Sequence, residues 1–284
     1  MTQQLALSFE LPSQGSHDRE DTVVVATWNV NSIRARHSLL ASWLERERPD
    51  VVCLQETKVA DDQFPSEEFA KFGYSVVRRC NGGRNGVAIL SRLPMRDVVT
   101  GLVPYDNEGD RVIAATIGDV RLVCVYAPNA YSVSDEGFVR KTNWLNALTT
   151  YVDRELARHG QLLVCGDFNV TPSDADLHDA RQWLYATFVH PDVRAPMRRV
   201  ASVLVDLYRL KHEAGRGFTW WDYRGDALAQ DRGIRIDHFY AAQPIATNCT
   251  DVKVAEDIRH SDKASDHAPV VATFVGRGNW VRDH

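Results

Sequence analysis

The chain has 284 residues, 44% of them hydrophobic and 25% charged, which suits one large domain or two small ones. No run of 18 apolar residues exists, and residues 1–20 lack the basic start and apolar stretch of a secretory signal, so a cytoplasmic protein without a membrane span is expected. A net charge of −5 argues against nucleic-acid binding by overall charge, although arginines at 34 and 36, at 78, 79 and 84, and at 194, 198 and 199 offer local basic patches.

In chain order, residues 1–20 read as a flexible tail. Short apolar runs rich in β-branched residues then predict buried strands over 23–28, 51–55, 86–91, 111–117, 121–127 and 161–167, with a later pair over 235–242 and 268–275. Between them, Leu39, Leu40, Trp43 and Leu44 recur at helical spacing before Pro49. A long amphipathic stretch covers Phe138 to His159, and a third helix is predicted around 200–214 through Val203, Leu204, Leu207, Tyr208 and Leu210. Strands alternating with helices predict an α/β protein. With no low-complexity linker, one domain with two packed sheets is expected. The two halves echo faintly, since ATWNV and GDFNV each close an apolar run with Asn-Val. The five cysteines form no CxxC pair, and three lie inside apolar runs, as buried reduced thiols do.

The apolar runs stop abruptly at polar residues. The first ends at Asn29 and Asn31, the next at Glu56, and later ones at Tyr126 and Asn129, at Asp167 and Asn169, and at Asp237. The last opens with Asp266 and His267. One such residue is ordinarily a cap or a turn. Six strand ends of this kind predict a cleft holding several carboxylates and one imidazole, because a charged group there costs desolvation unless neighbours compensate it. Carboxylate and amide oxygens suit Mg²⁺ rather than zinc. Asp237 could hold His267 in one tautomer beside the metal ligand Asp266. Metal, activated water and an oriented ring are the parts needed to hydrolyse a phosphate ester.

The segments WNVNSIRAR (28–36), LQETK (54–58), YAPNA (126–130), GDFNVTP (166–172), FTWWDYR (218–224), RIDH (235–238) and SDHAP (265–269) resemble, in order, those of exonuclease III and the related apurinic/apyrimidinic endonucleases. The resemblance spans about residues 22–275. It implies a four-layer α/β sandwich of two mixed sheets between helices, a single nuclease domain over 21–275 and a C-terminal tail over 276–284. By the same resemblance Glu56, Asn31 and Asp266 belong to the metal site, with Asp167, Asn169 and Asn29 beside them. Asp167 activates the attacking water, Tyr126 and Asn169 contact phosphate, and His267, oriented by Asp237, binds the scissile phosphate. Arg34, Arg111 (after an acidic loop) and Asn129 approach the DNA, while Trp220, Ile234 and Ile236 wall a pocket for a base-free sugar. Trp221 is expected in the core. The segment 190–199 departs from the family pattern and is expected to be a loop near DNA.

The implied activity is Mg²⁺-dependent hydrolysis, with Mn²⁺ as the other candidate metal. The implied partner is double-stranded DNA, met by a monomer at abasic sites (incised on the 5′ side to leave a 3′-hydroxyl) and at 3′ ends. Two alternatives stay open. Inositol-lipid phosphatases, sphingomyelinases and non-specific DNases share the Asn, Glu, Asp-x-Asn and Asp-His framework but usually lack NSIRAR and WWDYR. A non-catalytic nucleic-acid-binding relative would normally have lost catalytic residues that this chain keeps.

Overall fold

The computed structural model describes residues 21–102 and 109–281. The expected tail 1–20 and the acidic loop before Arg111 fall outside or largely outside these residues.

Twelve strands are described: β1 (Thr22–Asn29), β2 (Val51–Gln55), β3 (Ser75–Arg79), β4 (Val87–Ser91), β5 (Met95–Thr100), β6 (Val112–Ile117), β7 (Val120–Tyr126), β8 (Leu162–Asp167), β9 (Val205–Asp206), β10 (Asp237–Ala241), β11 (Cys249–Val254) and β12 (Val270–Val275). They form two six-stranded sheets, ordered β11-β12-β1-β2-β4-β3 and β5-β6-β7-β8-β10-β9. Read from opposite ends, the two sheets share one pairing pattern. Each holds a single parallel pair, β1 with β2 and β7 with β8, and every other pairing is antiparallel. The Asn-Val echo falls at the end of β1 and just past the end of β8, each a member of its sheet's parallel pair.

The sheets pack face to face. Val23, Val25, Cys53 and Ile89 from one meet Ile113, Leu122, Cys124, Cys165 and Phe239 from the other. Helices cover the outer faces. Helix α1 (His37–Glu47) and α2 (Ser66–Ala70) lay Leu40, Trp43, Leu44 and Phe69 on the first sheet. Helices α3 (Glu136–His159) and α4 (Pro191–Val203) lay Trp144, Leu145, Leu148, Val193 and Met197 on the second. This is the expected four-layer α/β sandwich, held by sheets whose strands are apolar on both faces and so must be covered on both. No helix among the described residues is long and apolar enough to cross a membrane.

All eight predicted strands form. The four that were not predicted, β3, β5, β9 and β11, are the four sheet edges. Edge strands carry charge that blunts further pairing, and SVVRR, MRDVVT, VD and CTDVKV do so.

Three expectations are corrected. The segment 190–199 is not a loop but most of α4, with Pro191 in its first turn and His190 accepting from Asp192 N–H. Its apolar face, Val193, Met197 and Val200, is buried in the same cluster as the α3 side chains. The helix expected over 200–214 is broken: Leu204 is extended, β9 pairs with β10, and Asp206 caps a new helix, α5 (Leu207–Lys211). The expected C-terminal tail is folded to 281. Trp280 is buried against Phe274, 5.5 Å between ring centroids, and lies so close over Gly118 that a Cβ there would meet its backbone at 2.4 Å.

Candidate active site

The site forms where the matching ends of β1, β2, β7 and β8 converge. Asn29 closes β1, and the chain turns through Asn31 and Ser32, both at positive φ (44° and 90°). That turn is zipped to the one after β2, with Val30 N–H donating to Gln55 O and Ser32 N–H to Glu56 O. In the second sheet Gly166 lets β8 approach β7. Its φ is 142°, and a Cβ would strike Val125 O at 1.9 Å. Asp167 follows, then Asn169 at φ 50°.

Asp167 is almost fully buried and held on several sides. Its Oδ1 accepts from Asn169 N–H at 2.8 Å, and its Oδ2 from Asn29 Nδ2 at 2.9 Å and Asn169 Nδ2 at 3.3 Å. Asn29 Nδ2 also reaches Glu56 Oε1 at 2.8 Å, so one amide ties the carboxylates of the two sheets together. His267 Nδ1 lies 2.8 Å from Asp237 Oδ2, and its Nε2 lies 3.8 Å from Asp167 Oδ2. Trp28 Nε1 donates to His267 O, fixing the loop that carries the ring.

These contacts set the protonation states. Burial and the charge of Asp237 raise the Asp167 carboxyl to about 7, against the opposing pull of His267 and the Asn29 hydrogen bond. Burial works against a charged His267, but Asp237, Asp167 and Asp266 outweigh it and lift the ring to about 10. Burial and the charges of Glu56 and Asp167 push the Tyr126 phenol well up. Asp266 is held below the usual carboxylate range: burial opposes this, while the His267 charge and bonds from Trp220 and Asn31 prevail.

A cavity of about 170 Å³ opens onto these groups. Glu56, Tyr126, Asn129, Asp167, Asn169, Asp266 and His267 line it on the polar side, and Trp220, Ile234, Ile236 and Phe188 on the apolar side. Trp220 is fixed by its Nε1 donating to Asp266 Oδ2 at 2.9 Å and by backbone pairing with Ile234. Asn29, Asn31 and Asp237 are not part of the lining but bond to residues that are: Asn29 to Glu56 and Asp167, Asn31 to Asp266, and Asp237 to His267. Trp221 is buried in a separate cluster with Phe218, Ala227 and Ala268.

Two of the residues expected at DNA are not part of this lining. Arg34 is exposed and bonded to Gln63, bordering a neighbouring groove with Arg36, Tyr223 and Lys263. Arg111 is buried, with its guanidinium 4.7 Å from the Tyr126 ring centroid and Nη1 donating to Tyr126 O, so it supports the phenol rather than facing solvent.

Within the expected metal set the geometry divides. Glu56, Asp167 and His267 present ligand-type atoms within 4.8 Å of one another. Asp266 has both oxygens engaged, by Asn31 Nδ2 at 2.9 Å and by Trp220. Asn29 turns its oxygen to Asn31 N–H. Lys58 Nζ bridges Asn31 Oδ1 and Glu56 Oε2, 2.6 Å from each, so a positive charge is already favoured between them.

Lys58 and Phe188 at the site, and Lys141 bonded to the Asn169 carbonyl behind it, were not singled out in the sequence. Lys58 stood unassigned inside LQETK. Lys141 was visible as a charge on the apolar stripe of α3, between Phe138 and Leu145. Phe188 sits in a single 3₁₀ turn, Thr187–Val189, which carries no periodic signal.

A two-sheet sandwich with acids and one imidazole at converging strand ends defines a class. Residues 26–267 match the model of the Endonuclease/Exonuclease/phosphatase family. Exodeoxyribonuclease III of Haemophilus influenzae is 36% identical over 264 residues, covering 87% of this chain and 98% of that protein. An AP endonuclease from Archaeoglobus fulgidus has a similar structure, with TM-score 0.86 and 35% identity over 89% of this chain and 99% of that one. The 3′ phosphatase NExo from Neisseria, solved bound to a product DNA hairpin, gives TM-score 0.87 and 37% identity over the same shares. The chain belongs to the exonuclease III/AP endonuclease family within that larger superfamily.

Proposed function

We propose that this chain is a divalent-metal-dependent DNA-repair nuclease that incises double-stranded DNA on the 5′ side of abasic sites and trims 3′ ends, acting as a monomer. The observation that carries the proposal is the pairing of a buried Asp167, raised to about 7, with a charged His267 in one small, half-apolar cavity.

Asp167 is poised to take a proton from water near neutral pH, as a general base should be. Its orientation is fixed before substrate arrives, by Asn29 and Asn169. His267, charged and steadied by Asp237, places Nε2–H where negative charge builds on a non-bridging phosphate oxygen. The Tyr126 phenol stays protonated and can donate to the same phosphate. Trp220, Ile234, Ile236 and Phe188 leave room for a sugar and little more, so a residue without a base enters at lower cost than a paired nucleotide.

The donor set fits a hard divalent cation, Mg²⁺ or Mn²⁺. Glu56 and Asn31 offer oxygens to the Lys58 ammonium at 2.6 Å, which marks a point suited to positive charge. They would hold the ion, with Asp167 beside them. Charged His267 donates rather than ligates. When bound, the ion supplies charge stabilisation for the phosphate and the departing 3′-oxygen.

The test uses matched duplexes with and without one abasic analogue, plus a phosphoinositide, each with Mg²⁺ and then with EDTA. Cleavage at the analogue, abolished by EDTA and with no phosphoinositide turnover, is expected. Turnover of the phosphoinositide alone would move the chain to another branch of the superfamily. Binding without cleavage would make it a non-catalytic relative.

A further inference from the structure

Lys141 lies outside every role assigned above. It sits on α3 within the apolar stripe formed by Phe138, Leu145 and Leu148, and it is the one fully buried lysine among the described residues. Burying an ammonium costs several kcal/mol unless it is compensated. A leucine at 141 would simply continue the stripe, so packing against the sheet does not require the charge.

Burial lowers the Lys141 amine to about 7, against the opposing charge of Asp167, and what that amine meets is the catalytic turn. Lys141 Nζ donates to the Asn169 carbonyl oxygen at 2.6 Å. Asn169 holds a left-handed conformation at φ 50°, uncommon for a residue with a side chain. Its other polar groups face the opposite way: the backbone N–H and Nδ2 grip the two oxygens of Asp167, and Nδ2 also donates to Ala127 O at 3.0 Å. The residue is thus clamped between Lys141 on one side and Asp167 on the other. Lys58 is unlike this, since it reaches the outer oxygens of the site and rests on Glu56 and Asn31.

We infer that Lys141 is a positioning residue for phosphodiester cleavage: by holding the Asn169 carbonyl from behind, it fixes the turn that aims Asp167 at the attacking water. The inference rests on the proposed role of Asp167. Lys141 is fully buried behind that turn and acts only through it. A displacement of the order of 1 Å in such a turn is enough to cost ~10²-fold in rate.

The experiment is a double-mutant cycle on the full chain, read by single-turnover cleavage of an abasic duplex with Mg²⁺. Lys141→Met keeps the volume and removes the donor. Expected is a ~30- to 100-fold fall in kcat with KM within about threefold. In the Asp167→Asn background, where no base remains to be aimed, the same change should cost less than about threefold, because coupled residues are not additive. A merely structural role would instead multiply through both backgrounds. If Lys141→Met does not fold by circular dichroism, Lys141→Gln replaces it. A folded variant with kcat within threefold of wild type, a full multiplicative loss in the double mutant, or failure of both variants to fold would overturn the inference. If Asp167→Asn alone leaves cleavage fast, the proposed role of Asp167 fails instead.

Discussion

Two buried acidic clusters stand close together in this molecule and behave in opposite ways. In one, Arg235 lies between Asp176 and Asp206, with Nε donating to Asp176 Oδ1 at 2.7 Å and Nη2 to Asp206 Oδ2 at 2.8 Å, and Arg209 adds a second cation at Asp176. Although burial opposes it, these arginines hold the Asp176 carboxyl down at about 2. In the other, Glu56, Asp167, Asp237 and Asp266 face His267 and Lys58, and Asp167 rises to about 7. Successive residues of β10 serve the two: Asp237 meets His267, while His238 points to the other face and meets Val170 O at 2.9 Å. The two rings diverge accordingly. Burial and the Arg235 charge lower His238 to about 4, whereas His267 rises to about 10. Burial of an acid is thus no sign of chemistry. An acid in excess over its cations, next to a cavity, is one.

This contrast can be broken in three places. The largest effect is expected at Asp167. Asp167→Asn should slow turnover on an abasic duplex by ~10³-fold while leaving Kd within about threefold, since an amide keeps the shape and loses the base. Binding measured by fluorescence anisotropy that falls as far as turnover would make Asp167 a structural acid like Asp176.

Arg235→Met should act on the fold instead. It takes the guanidinium from Asp206 and leaves Asp176 with Arg209 alone, and removing one partner of such a group costs about 3–5 kcal/mol. Urea unfolding of the variant should register that loss. A stability within 1 kcal/mol of wild type, about the spread of ordinary substitutions, would mean the cluster holds nothing together.

The smallest effect concerns acid. Asp176 is ionised more readily in the folded state, at about 2, than at its ordinary 3.8. The stability from this preference is complete above pH 4 and is lost as pH falls through 2, an amount on the order of 2 kcal/mol. Asp176→Asn should therefore be less stable than wild type at pH 5, and the gap should narrow toward pH 2. Parallel urea midpoints across that range would contradict it.

Much of this was legible in the amino-acid sequence, and the physical reason is burial. Central strands such as VVCLQ and LLVCGD are covered on both faces, so they are unbroken apolar runs, and a polar residue ending one stands out. Glu56, Asp167, Asn169 and His267 were visible for that reason. Edge strands mix charge with apolar residues and read as loops. At 190–199 two prolines disguised a helix whose only signal was Val193, Met197 and Val200. The connections of Asp266 to Trp220 and of Asn29 to both carboxylates depend on side chains far apart in the chain. No local pattern announces them.

The matched pairing of the two sheets has a consequence for how the chain could be cut and rejoined. Strands β1 to β4 lie in the first sheet and β5 to β10 in the second, but β11 and β12 return to the first. The chain around Gly276 also comes back to its entry point, where Gly276 N–H donates to Asp21 O at 3.0 Å. A short linker across that junction, with new termini opened near Gln243, would put β11 and β12 ahead of β1. Each sheet would then be one continuous stretch of sequence. Severed between β4 and β5, such a permuted chain becomes two fragments, one carrying Glu56 and His267, the other Asp167 and Asp237. Nuclease activity would then report on their reassembly.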